Sequence, residues 1–177
     1  MKRLPKIKKM LNLNNRNPPK EDKEELPPNE DPQFTEYFTI NHSLIPPYNV
    51  IIDTNFINHS IRRKLDMNAE FIKCLYSRVN LFVTECVIGE LERLGRIYRV
   101  ALAIARDPKV KRLNCDHKGI YADDCIVNRV TTHRCYIVAT CDTELKQRIR
   151  KIPGVPIIYV RGAGYEVERL PRAPLKK

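Results

Sequence analysis

No stretch of about 18 uninterrupted apolar residues occurs in this chain, so no segment has the make-up of a membrane-spanning helix. The opening block "MKRLPKIKKMLNLNN" also lacks the apolar core of a secretory signal. The expectation is a soluble, intracellular protein with no membrane partner. Aromatic residues make up only 7% and are not interleaved with the cations, which argues against a platform that stacks successive bases. There is no G-x-S-x-G elbow, no G-x-x-x-x-G-K-[ST] loop and no G-x-G-x-x-G turn, so serine-hydrolase, P-loop and dinucleotide chemistry all lack their usual carriers. No internal repeat is evident. Six cysteines are present, but without an export signal a reducing compartment keeps them as thiols that are free, buried or metal-bound.

What is present is 177 residues, 42% of them hydrophobic, enough for one core. A formal net charge of +11 favours polyanionic partners, nucleic acid foremost. The charge is unevenly placed. Lys2, Arg3, Lys6, Lys8, Lys9, Arg16 and Lys20 occupy a leading segment without acids, and the acidic "EDKEELPPNEDPQFTE" follows. Prolines at 18, 19, 27, 28 and 32 and low hydrophobicity mark this region as a tail with no packed structure of its own. Residues 1–36 are therefore read as a basic then acidic disordered tail, 37–165 as the folded domain and 166–177 as a basic C-terminal tail. Pro46-Pro47 marks where the fold begins.

From there strands and helices alternate. "NVIID" reads as a buried strand, "FINHSIRRKL" and "NAEFIKCLYSRV" as helices, and "NLFVT" as a second strand. "ECVIGELERLG" is a helix with Thr84 as N-cap and Gly95 as its stop. "YRVALAIAR" is a helix ended by Asp107-Pro108, and a polar loop follows. Then come the helix "YADDCIVNRVTTH", the strand "CYIVATCD", the helix "TELKQRIRKI" and a last strand "VPIIYV". Continuous apolar strands alternating with helices predict an α/β fold whose parallel sheet is covered on both faces.

In such a sheet the carboxyl ends of the strands form the ligand crevice. Asp53 and Asp142 end two of the strands and Glu85 follows another. Glu90 lies on the third helix, and Asp123 and Asp124 open the helix before the Asp142 strand. Crowded carboxylates repel, and a hard divalent cation with oxygen ligands relieves that repulsion. Such an ion can activate water, hold a scissile phosphate and stabilise a departing oxygen. Each acid also has a simpler reading: Asp53 and Asp142 as helix caps, Asp123 and Asp124 as complements to a helix dipole, Glu90 as a partner of Arg93. Independent caps, however, need not gather on one sheet edge.

The order Asp, Glu on a helix, Asp-Asp, then Asp after a strand resembles the PIN-domain ribonucleases. "PPYNVIIDTNFIN", "GELERLGRIYRVAL", "HKGIYADDC" and "HRCYIVATCDTELKQRIRKIPGVPIIYV" are similar to the PIN endoribonucleases of the eukaryotic small-subunit processome, from about Pro46 to Val160 with an echo in "KKMLNL". The resemblance implies a three-layer α/β/α sandwich and metal-dependent cleavage of precursor rRNA during 18S maturation. It also implies residence in the nucleolus of the nucleus, and association with the U3 small nucleolar RNA and other processome proteins as a monomer within a large ribonucleoprotein. The catalytic and Mg²⁺- or Mn²⁺-binding positions it carries over are Asp53, Glu90, Asp123, Asp124 and Asp142. Adjacent helix residues point about 100° apart, so one of the Asp123-Asp124 pair is expected to face the metal more squarely. The departures are short tails, Gly89 before Glu90 and Cys141 where an apolar residue is usual. The alternative reading is a catalytically silent PIN-fold scaffold that binds RNA and protein.

Cys115, His117, Cys125, His133 and Cys135 bracket the Asp-Asp helix. Thiolates with imidazoles suit Zn²⁺, so four of these five could form a structural zinc site, in the region where a related PIN protein of the same assembly carries a zinc motif; the alternative is Cys125 in the core, Cys135 inside a strand, and His117 and His133 in loops. Cys74 and Cys86 read as small core side chains on helices. Asn55 could orient a water or phosphate. Lys146, Arg148, Arg150 and Lys151 form a nearly all-positive run close to Asp142 and are expected to contact RNA phosphates.

Overall fold

Val50, Ile51 and Ile52 are all fully buried. Successive strand residues face opposite sides, so a strand buried at every position must lie in a sheet covered on both faces. That is the arrangement in the computed structural model, which describes residues 41–115, 117 and 121–170. In chain order the elements are β1 (Tyr48–Ile52), α1 (Thr54–Arg62), α2 (Met67–Leu75), β2 (Val79–Thr84), α3 (Glu85–Arg93) and a 3₁₀ turn (Gly95–Tyr98). They continue with α4 (Arg99–Ala105), β3 (Val110–Leu113), α5 (Ala122–Thr132), β4 (Tyr136–Ala139), α6 (Thr143–Arg150), β5 (Ile157–Arg161) and β6 (Gly164–Glu168). The six strands are ordered β3-β2-β1-β4-β5-β6. The first five run parallel and β6 pairs antiparallel with β5.

β1 is flanked by β2 on one side and β4 on the other, so the winding reverses at β1 and opens a crevice at the carboxyl ends of β1 and β4. The helices entering and leaving that edge are set by local chemistry. Thr84 caps α3 by accepting from the Val87 N–H (3.3 Å), and Gly95 (φ 76°) takes the left-handed conformation that ends it. No helix among the described residues is long and apolar enough to cross a membrane.

Two strands depart from expectation. β3 lies in what reads as a polar loop, because an edge strand with exposed Lys111 and Arg112 carries no apolar run. β6 extends the sheet beyond "VPIIYV" and places the expected domain boundary at 165 inside a strand. Its Tyr165 ring packs on Phe56 and Phe71 (centroids 4.7 and 4.9 Å), and Val167 and Leu170 pack against the core. The fold therefore runs through the first residues assigned to the C-terminal tail. The tail expected over 1–36, and residues 171–177, lie outside the described residues.

Candidate active site

Asp53 leaves β1 at the switch point with only 2% of its surface exposed. It occupies the N-cap position of α1 but makes no capping hydrogen bond. Its Oδ2 instead accepts from the Thr140 hydroxyl (2.9 Å), just past the end of β4, and its N–H donates to the Ala139 carbonyl (3.0 Å). The same Thr140 oxygen accepts from the Asp142 N–H (3.0 Å), so one buried hydroxyl couples the two acids at the strand ends. Asp142 does cap α6: its Oδ1 accepts from the N–H groups of Glu144 (2.7 Å) and Leu145 (3.1 Å). Its Oδ2 accepts from the Asn55 amide at 3.3 Å.

The helices bring the remaining carboxylates. Thr54, first residue of α1, donates its hydroxyl to Glu90 Oε2 on α3 (2.9 Å). Asp123, in the first turn of α5, interacts electrostatically with Asp53, Asp142 and Glu90. Its neighbour Asp124 is turned outward and pairs with Arg148 at 2.6 Å. Of the adjacent pair, Asp123 is thus the one that joins the cluster. Burial raises the pKa of Asp53 to about 7, opposed by the Thr140 hydrogen bond and reinforced by the Asp123 and Glu90 charges. Burial and the charges of Asp142 and Glu90 likewise raise Asp123, against a lowering contribution from Arg148. Four carboxylates from four segments, one of them almost sealed from water, offer the all-oxygen chemistry that a hard divalent cation takes, although no three of them have oxygens all within 4.8 Å of one another.

The cations expected to touch RNA divide. Arg148 stands beside the acids on Asp124, and Lys146 lies over the Tyr159 ring at 5.0 Å. Arg150 is held by both carboxylate oxygens of Glu168 (2.9 Å each) at the far end of α6, where Lys151 follows it.

A second cluster sits beside the first. The donor atoms of Cys86, Cys115, His117 and Cys125 lie within 4.8 Å of one another. Cys86 Sγ is 3.4 Å from His117 Nε2, Cys115 Sγ is 3.3 Å from Cys125 Sγ, and the Cys115 N–H donates to Glu85. Burial would raise the Cys115 thiol, yet hydrogen bonds from Cys86 and Cys125 bring it below the ordinary value. Burial and the donation to Cys115 push Cys125 up to about 12, and burial raises Cys86 too. Three sulfurs and an imidazole at this spacing fit tetrahedral zinc.

This set differs from the sequence expectation. Cys86, half-buried against the core, takes part. Cys135 does not, because it precedes β4 and lies at the amino edge of the sheet, whereas Cys115 follows β3 at the carboxyl edge. His133 lies eight residues past Cys125 along α5, about 12 Å at 1.5 Å per residue. It lines a cavity of about 290 Å³ with His117 and Cys125 instead of sharing their centre. Thr54 and Thr140 were not singled out from sequence. The signal for Thr140 was a hydroxyl ending the apolar run "YIVA", since a buried hydroxyl requires a partner.

The parallel sheet with its reversal at β1 and acids gathered on the carboxyl edge defines a PIN domain. The solved structure of the PIN domain endonuclease Utp24 matches it with a TM-score of 0.69 at 56% identity, covering 71% of this chain and 95% of that one. The Fcf1 family model matches residues 73–169. The rRNA-processing protein FCF1 of Saccharomyces cerevisiae is 49% identical over 174 residues, 93% of this chain and 92% of its own length. The human rRNA-processing protein FCF1 homolog is 56% identical over 135 residues, 76% of this chain and 68% of its own. The chain belongs to the Fcf1 family.

The elevated Asp53 pKa has a defined consequence for the metal-free protein. The folded state keeps a proton that the unfolded chain releases near 3.8, so this contribution to stability is complete below about pH 4 and is lost as pH rises to about 7. Asp53→Asn removes the buried charge while leaving an oxygen to accept from Thr140. Denaturant melts in chelator should show the variant more stable than wild type by about 2–4 kcal/mol at pH 8, and equal to it near pH 4. Equal stability at pH 8 would mean that the carboxylate is not strained by its surroundings.

Proposed function

We propose that this chain is an endoribonuclease, dependent on Mg²⁺ or Mn²⁺, that cleaves precursor rRNA during 18S maturation. It would act in the nucleolus as one copy within the small-subunit processome, in company with the U3 small nucleolar RNA. The observation that carries this reading is the convergence of Asp53, Glu90, Asp123 and Asp142 on the edge where the sheet's winding reverses. Its biological setting is supported by the rRNA-processing relatives and by the PIN domain endonuclease of like fold.

These four carboxylates would hold the cation, which when bound supplies Lewis-acid activation of water and of the scissile phosphate. The chain's own groups do the rest. Thr140 keeps Asp53 and Asp142 at a set separation, Thr54 holds Glu90 toward them, and Asn55 orients the second oxygen of Asp142. Arg148 is the guanidinium beside the acids and offers a charged fork to an RNA phosphate, with Lys146 two residues earlier on α6. Attack of water on phosphorus with departure of the 3′ oxygen leaves a 5′-phosphate and a 3′-hydroxyl.

The thiol and imidazole cluster is proposed as a structural zinc site made of Cys86, Cys115, His117 and Cys125. Cys86 lies one turn before Glu90 on α3, and Cys125 lies two residues after Asp123 on α5. A zinc ion there would fasten together the two helices that present those acids.

Cleavage of an RNA spanning the 5′ boundary of the 18S sequence tests the first reading. In Mn²⁺ the wild type should cut, Asp53→Asn and Asp123→Asn should each lose roughly a hundredfold or more, and Asp124→Asn should stay within a few-fold of wild type. Undiminished cutting by Asp53→Asn refutes the assignment, and RNA binding without cutting by the wild type identifies a scaffold. Elemental analysis tests the second. One zinc per chain is expected in wild type and in Cys135→Ser, with loss of the metal in Cys86→Ser. The reverse pattern would restore the set expected from sequence.

A further inference from the structure

Residues 92–100, where α3 passes through the 3₁₀ turn into α4, are all exposed except the half-buried Tyr98. Within this corner the sequence "RLGRIYRV" repeats cation and branched aliphatic every three residues: Arg93, Arg96 and Arg99 beside Leu94, Ile97 and Val100. Arg93 and Leu94 end α3 ahead of the Gly95 break, Arg96 and Ile97 lie in the 3₁₀ turn, and Arg99 and Val100 open α4, so each exposed aliphatic of the row directly follows an arginine in sequence. The aliphatic row is well exposed, Ile97 at 89%, Val100 at 59% and Leu94 at 41%. The arginines have no side-chain hydrogen bond or ion pair among the described residues, while the acid of the same corner, Glu92, is engaged by Arg106. Among the described residues the corner thus carries three positive charges without an acid partner, next to apolar surface that no described residue covers.

We propose that this corner is a docking surface for a protein segment that is acidic and amphipathic, with aliphatic side chains at helical spacing flanked by Asp or Glu. Charge complementarity selects the acids. The aliphatic row selects protein over RNA, because branched aliphatics gain nothing from phosphates and offer no face on which a base stacks, whereas apolar residues interleaved with arginine are the composition of interface cores. The row begins one turn after Glu90 on α3, so a bound segment lies next to the acid edge without using its residues. The inference is independent of whether the chain cuts RNA.

The test is residue-specific photo-crosslinking of the full chain in the cells that make it, with benzoylphenylalanine replacing the exposed Ala103 on α4, followed by sequencing of the adduct. The expected adduct is one polypeptide segment with the acidic and aliphatic pattern. Its yield should fall at least tenfold with Arg96→Glu/Arg99→Glu and should recover when the acids of the mapped segment are changed to lysine. Ile97→Ser, which leaves every charge in place, should lower it by a similar factor. Melting temperature, zinc content and RNA cleavage should match wild type in both variants, which separates lost docking from lost folding. Adducts on RNA, on a second copy of this chain or on a segment without that pattern would overturn the proposal. So would absence of an adduct, or a yield indifferent to both variants.

Discussion

The structure depends on a buried carboxylate that its surroundings resist. Asp53 is withdrawn from water at the centre of the sheet, with one hydroxyl bond from Thr140 and like charges from Glu90 and Asp123 around it. A helix cap would have been satisfied by N–H groups and exposure, as Asp142 is in part. Asp53 has neither. A fold that keeps a carboxyl group in so unfavourable a place for its charge, beside other acids, is arranged for a positive charge supplied from outside the chain.

The two side-chain clusters share their supports. α3 presents Cys86 and, one turn on, Glu90; α5 presents Asp123 and then Cys125. On a helix, residues two apart point to nearly opposite sides, so α5 serves the acid edge with one face and the thiol cluster with the other. Glu85, first residue of α3, ties down the Cys115 backbone and completes the link between that helix and the loop after β3. Each cluster has the chemistry for a different metal.

Much of this was legible in the sequence because it follows from periodicity. The continuous apolar runs at "NVII" and "YIVA" announce parallel strands covered on both faces, and the strand-end rule then places Asp53 and Asp142 on one edge. The rest depended on partners far away in the chain. Asp123 and Asp124 are equivalent in sequence, and what distinguishes them is Arg148, held on a helix two elements later. Cys86 on an amphipathic helix reads as core, and only the loop after β3 reveals that its sulfur has company. Cys135 is close to Cys125 in sequence but sits at the opposite sheet edge, which spacing alone does not encode. β3 and β6 lack apolar runs because edge strands bury little, and the pairing that defines them is made across the chain.

The central claim is that Asp53 holds a proton near neutrality until a cation takes its place. Calorimetric titration of the protein with Mn²⁺ in buffers of different ionisation enthalpy measures this directly, since the buffer dependence of the heat counts protons released per metal bound. With a pKa of about 7, binding at pH 6 should release about one proton, binding at pH 8 close to none, and Asp53→Asn should abolish the difference. The same proton count at both pH values, or a difference that survives Asp53→Asn, would contradict the account.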